Sequence, residues 1–167
     1  MNKDLLDSIN LKNLRVTTKL KLPDVGKEKF ILSIKKKIKH ELQKFKLKKF
    51  DTILLHNIND LKSTKYRSKI LNELIDLKKK KLTSKIGVSV YEPSDLKIVF
   101  RYFNPDVLQI PLNVFDQRFT EDNLLAKIKK KNILIQVRSI FLQGLLLKSQ
   151  KEINKIKNKK KLKQKLT

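Results

Sequence analysis

The chain has 167 residues and no cysteine, with 41 lysines and arginines against 16 aspartates and glutamates, giving a formal net charge of +25. That length is enough for one core but short of the ~250 residues of a complete eight-stranded β/α barrel. Lack of cysteine excludes disulfides and thiolate metal centres, and the two histidines, His40 and His56, argue against a histidine-based one. The charge is mostly lysine, spread over helical segments and concentrated at the C-terminus. It reads as solvated surface with a non-specific attraction for nucleic acid. No apolar run approaches the ~20 residues of a membrane span. Residues 1–10 lack a continuous apolar stretch and carry Asp4 and Asp7, so the expected location is the cytoplasm.

Residues 1–13 form a short polar-apolar lead, expected to make one or two helical turns. Residues 14–20 read as a strand rich in Val and Thr, followed by a loop punctuated by Pro23 and Gly26. Over residues 28–46, Phe30, Ile31, Ile34, Ile38, Leu42 and Phe45 recur at helical spacing and leave lysines on the other face. His40 lies off that stripe and reads as a solvated surface histidine. Residues 50–55 form a second apolar strand with His56 at its C-terminal end. The next helix is expected to place Tyr66, Ile70, Leu71, Leu74 and Ile75 on one face.

Three more apolar runs follow, at 85–90, 106–111 and 133–137, with helical spacing at Leu96, Val99, Phe100 and Phe103 between the first two. Strand and helix alternate throughout, and alternation of this kind demands a parallel sheet with crossover helices. The predicted organisation is a lead at 1–13, a β/α region at 14–147 and a lysine-rich tail at 148–167. The tail has too few apolar residues to pack and is expected to fray, although Ile153, Ile156 and Leu162 permit a weak helix.

Four runs in register carry a resemblance. They are Ile86-Gly87-Val88-Ser89-Val90-Tyr91, Pro105-Asp106-Val107-Leu108-Gln109-Ile110-Pro111-Leu112-Asn113, Asp116-Gln117-Arg118 and Arg138-Ser139-Ile140-Phe141-Leu142-Gln143-Gly144. In order and spacing they resemble the second half of an aldo/keto reductase. The likeness extends back to Arg15-Val16-Thr17-Thr18-Lys19-Leu20 and to Asp51-Thr52-Ile53-Leu54-Leu55-His56-Asn57. It implies an α/β fold, a partial (β/α) TIM-type barrel of five parallel strands with outer helices, matching the third to seventh units of that family.

The resemblance also implies a chemistry. Such enzymes pass a hydride from NADP or NAD to a small carbonyl substrate while a tyrosine, its pKa lowered by a lysine, supplies the proton. Lys19 matches the lysine and His56 the histidine that places the carbonyl oxygen. Ser89, Gln109 and Asn113 match groups that hold the nicotinamide carboxamide, and Arg138 and Ser139 complete the expected cofactor-binding set. Val90 stands where the family usually has asparagine, and Arg138 where many members have an aromatic that stacks on the nicotinamide. The family's aspartate and tyrosine belong to its first two units, and Tyr66, Tyr91 and Tyr102 lie elsewhere in the motif order. The expectation is therefore a truncated reductase, inactive alone or needing a complementing N-terminal segment, with strand edges that favour self-association. The competing expectation is a non-catalytic basic protein that binds nucleic acid through its lysines.

Overall fold

Short runs of leucine and β-branched residues alternate with amphipathic helices along the chain, in the order that crossover connections require. The computed structural model describes residues 14–155. In chain order these are β1 (Thr17–Leu20), α1 (Lys27–Lys44), β2 (Phe50–Leu55), α2 (Asn59–Lys62), α3 (Arg67–Lys79), β3 (Thr83–Ser89), α4 (Asp95–Tyr102), β4 (Val107–Pro111), a 3-10 segment (Arg118–Asn123), α5 (Leu124–Lys130), β5 (Leu134–Arg138) and a second 3-10 segment (Leu142–Leu147). The five strands make one sheet in sequential order, parallel at every pairing. The α/β expectation of five parallel strands with outer helices is met.

Because side chains alternate across a strand, the ladder sorts every residue onto one of two faces. Leu20 pairs with Leu55, Leu55 with Val88, Val88 with Leu108 and Leu108 with Ile135. This row packs in one core cluster with Ile31, Ile34, Ile38 and Leu42 of α1, Ile70, Leu74 and Leu77 of α3, Leu96 and Val99 of α4, and Ile128 of α5. Each such side chain contributes about 1.5–3 kcal/mol when fully buried, so this helix-covered face holds the fold together.

The opposite face is concave, and one hydrogen bond shows it. Gln136 of β5 donates from Nε2 to Thr17 Oγ1 of β1 at 3.3 Å. In a flat sheet those outermost strands would stand roughly 19 Å apart, beyond the reach of two such side chains. The sheet must therefore curl, as part of a barrel does.

Several boundaries differ from expectation for local reasons. The buried stripe of α3 is Ile70, Leu74 and Leu77, while Ile75 is 40 % exposed. At about 100° per residue, Ile75 falls some 140° round the helix from Ile70. Strand β5 begins one residue late, with Ile133 buried ahead of it and Leu134 exposed. Residues 150–155 are helical, and Glu152 folds back over the start of the helix: its Oε2 accepts from Ser149 N at 2.9 Å and from Ser149 Oγ at 2.8 Å. The rest of the tail and the lead at 1–13 lie outside the described residues. Among the described residues, no helix is long and apolar enough to cross a membrane. Strand β5 forms one edge of the sheet, and around it Leu134, Val137, Ile140, Phe141 and Leu145 to Leu147 are exposed.

Candidate active site

The concave face is built in rows. The ladder sets Lys19 beside Leu54, Leu54 beside Gly87, Gly87 beside Val107 and Val107 beside Leu134. Leu54 and Val107 are buried, and Gly87 leaves the room they occupy. A Cβ at Gly87 would lie 2.1 Å from the Val107 carbonyl oxygen and 2.8 Å from Leu54 Cδ2. One pleat further toward the C-terminal ends, Ser89 pairs with Gln109 and Gln109 with Gln136. His56 continues the β2 ladder, its backbone N–H donating to the Leu20 carbonyl at 2.9 Å. Two residues beyond Gln136, Arg138 closes β5. Polar groups thus crown an apolar floor at the strand ends, where β/α barrels carry their chemistry.

A chain of side-chain hydrogen bonds crosses this rim. Ser89 Oγ donates to Gln109 Oε1 at 3.5 Å, and Gln109 Nε2 donates to Gln136 Oε1 at 3.5 Å. Both are long against the usual 2.7–3.0 Å or so. Gln109 therefore has a donor and an acceptor held only weakly, a pairing that suits a planar carboxamide. Ser89 is fully buried, which fixes its hydroxyl in place.

Charge is concentrated beside that relay. Burial, and then the Arg138 guanidinium, hold Lys19 below the ordinary lysine pKa. The His56 imidazole is also pushed down, first by burial and then by Lys19, Lys21 and Arg138, with Asp60 opposing. Asp60 is itself committed to Lys27 at 2.8 Å. Arg138 sits with its guanidinium 4.3 Å from the Tyr91 ring centroid and donates from Nη2 to the Val90 carbonyl at 3.5 Å. Its Nε is enclosed without a partner.

The lowered His56 pKa has a testable sign. The neutral imidazole prevails at pH 7, and in unfolded chain the same group titrates near 6.5. As pH falls through 6.5 the unfolded chain takes up the proton first, so His56 subtracts stability on acidification. An imidazole NMR titration is expected to give a midpoint below 6.5, moving upward in both Lys19→Met and Arg138→Gln. A midpoint that ignores both substitutions would mean that these cations do not share a site with His56.

Lys19, His56, Ser89, Gln109 and Arg138 thus lie along one rim. Asn113 and Ser139 stand to one side, lining a cavity of ≈330 Å³ with Tyr91, Asp116, Arg118 and Arg138. Asn113 Oδ1 accepts from the backbone N–H groups of Phe115 (2.9 Å) and Asp116 (3.1 Å), which organises the turn after β4. Arg118 grips Asp116 through two bonds of 2.8 and 2.9 Å and also contacts Glu92, clamping that turn to the loop after β3. The sequence reading missed Gln136 and Lys21. Gln136 could have been found from the two-residue alternation of Leu134, Gln136 and Arg138, whereas nothing distinguishes Lys21 among so many lysines.

The sequence pattern of the aldo/keto reductase family matches residues 3–167. The chain belongs to the aldo/keto reductase family. No curated protein sequence matches it. Among solved structures it is similar to an aldo-keto reductase of Bacillus halodurans in its apo form, with a TM-score of 0.63 and 18% identity over 81% of this chain and 44% of that one. A glycerol dehydrogenase of Gluconobacter oxydans gives 0.60 and 25% identity over 79% of this chain and 42% of that one. An aldo/keto reductase of Klebsiella pneumoniae in complex with NADP and acetate gives 0.61 and 15% identity over 78% of this chain and 44% of that one. The chain spans less than half the length of these proteins.

Proposed function

We propose that this aldo/keto reductase chain forms the half of an NAD(P)-dependent carbonyl reductase that holds the nicotinamide carboxamide and tunes the proton donor, acting on a small carbonyl compound in the cytoplasm. The observation that carries the reading is the meeting of Lys19, His56, Ser89 and Gln109 at the strand ends of a reductase fold.

The loosely bonded amide of Gln109 and the buried hydroxyl of Ser89 fit a carboxamide, which needs both an acceptor and a donor. Arg138 contributes a flat cationic surface beside them, and Ser139 and Asn113 line the adjoining cavity. When bound, the nicotinamide supplies the hydride. Lys19 places a fixed cation where it favours an ionised tyrosine, and neutral His56 offers an N–H to the carbonyl oxygen.

The proton donor comes from elsewhere in this reading. Tyr102 is stacked 3.6 Å from the Arg67 guanidinium, Tyr66 directly precedes α3, and Tyr91 is covered by Arg138. None of the three is hydrogen-bonded to Lys19 among the described residues. A complementing N-terminal segment would bring the tyrosine and its aspartate, so the chain alone is inactive. Cofactor fluorescence tests the assignment: NADPH affinity of the complemented protein is expected to fall about tenfold or more in Ser89→Ala/Gln109→Ala, for two lost hydrogen bonds. Unchanged affinity would remove both residues from the cofactor site.

A further inference from the structure

At the end of the sheet opposite the reductase rim lies a second concavity. It has a volume of ≈500 Å³ and is lined by Leu14, Arg15, Lys46, Leu47, Lys48, Lys49, Asp51 and Ser84, within the size range of small-molecule sites. Four of these eight residues are cationic. The single carboxylate, Asp51, is already engaged, accepting from Lys85 Nζ at 3.0 Å and from Thr52 Oγ1 at 2.9 Å. Among the described residues, no ion pair involves Arg15, Lys46, Lys48 or Lys49.

The fold holds these cations together. Arg15 lies two residues before the start of β1, and Lys48 and Lys49 immediately precede β2, the two strands being paired in register from Thr17 and Thr52. The turn carrying Lys46 is pinned to α1 by two backbone bonds, Lys46 N–H to the Gln43 carbonyl (3.1 Å) and Leu47 N–H to the Leu42 carbonyl (2.9 Å). Several other lysines are paired with carboxylates, among them Lys27 with Asp60, Lys78 with Asp106 and Lys85 with Asp51. Here the cations border one hollow and would share a ligand.

We propose that this hollow is a binding site for a compact polyphosphate anion, separate from the reductase rim, with Arg15, Lys48 and Lys49 as its principal contacts. Charge-assisted bonds to phosphate oxygens are stronger than neutral ones, and arginine can make two at once. A ligand bearing three or more charges in a small volume gains from all the cations together, whereas chloride or a single phosphate gains from one or two.

The test is calorimetric titration of the full chain with inorganic triphosphate at near-physiological salt. Saturable one-to-one binding is expected, weakened about tenfold or more by each cation removed in Arg15→Gln and Lys48→Gln. The charge-matched control Lys127→Gln/Lys130→Gln, on exposed positions of α5, should leave it nearly unchanged. Arg15→Lys keeps the charge without the fork and should give an intermediate loss, which preserves the test if Arg15→Gln unfolds. An ATP arm separates two sources of the same chemistry: tighter ATP binding assigns a nucleotide, equal binding a free polyphosphate. Equal weakening by the control pair, or no saturation, would overturn the proposal. So would tight binding of single-stranded oligonucleotide, sensitive to Arg15 and Lys48, without saturable triphosphate binding.

Discussion

Replacing Lys19 by methionine in the complemented protein is expected to lower carbonyl-reducing turnover by about 10²–10⁴-fold, the worth of general acid catalysis, while NADPH affinity changes little. A tyrosine left to itself ionises near pH 10, so a proton donor poised near neutrality needs a nearby fixed cation. Lys19 sits in the row beside buried Leu54, its charge near enough to His56 to push the imidazole pKa down. Methionine matches the length of the stem and removes only the charge. His56→Ala should act differently, raising KM more than it lowers kcat, because a neutral imidazole positions the carbonyl oxygen. Steady-state kinetics on the two variants separates the roles, and equal turnover in Lys19→Met and wild type would remove Lys19 from the mechanism.

Gly87→Ala should cost about 3 kcal/mol of stability, the upper end of ordinary overpacking. The added carbon would stand 2.1 Å from the carbonyl oxygen of Val107 and 2.9 Å from its carbonyl carbon. Both are backbone atoms of the paired strand, so relief requires β3 and β4 to part. Ser89 and Gln109 follow two residues further along the same pairing, and the relay at the rim would move with them. Urea unfolding measures the cost directly, and a domain holds only some 5–15 kcal/mol in all. An unchanged midpoint would show that the two strands tolerate separation at this point.

The elements most legible in the sequence are those fixed by local pattern. Strand β2 has the bounds that its apolar run dictates, and the parallel order follows from strand and helix alternating. The polar residues that end β1 to β5 could be placed at one rim because every strand of a β/α barrel points the same way. What the sequence did not disclose depends on contacts between distant residues. The bond from Gln136 to Thr17 spans 119 positions, and the clamp from Arg118 to Glu92 spans 26. On α3 the expected face holds for Ile70 and Leu74, with Tyr66 and Leu71 packed at its border, and departs only at Ile75, which is exposed while Leu77 is buried. Asn113 matches a carboxamide-binding position in the motif, yet its side-chain oxygen serves the turn after β4. One side chain can satisfy a motif and still be occupied by local backbone, which motif spacing does not reveal.

The central claim is that the rim of Lys19, His56, Ser89 and Gln109 is the working half of a nicotinamide-dependent reductase. Oxidation of NADPH and of NADH, followed on a panel of aldehydes and ketones with and without a segment carrying the family's first two β/α units, tests it most directly. The account predicts no turnover from the chain alone, and turnover on complementation that collapses in Lys19→Met. Robust turnover by the isolated chain, or complemented turnover indifferent to Lys19, would contradict it.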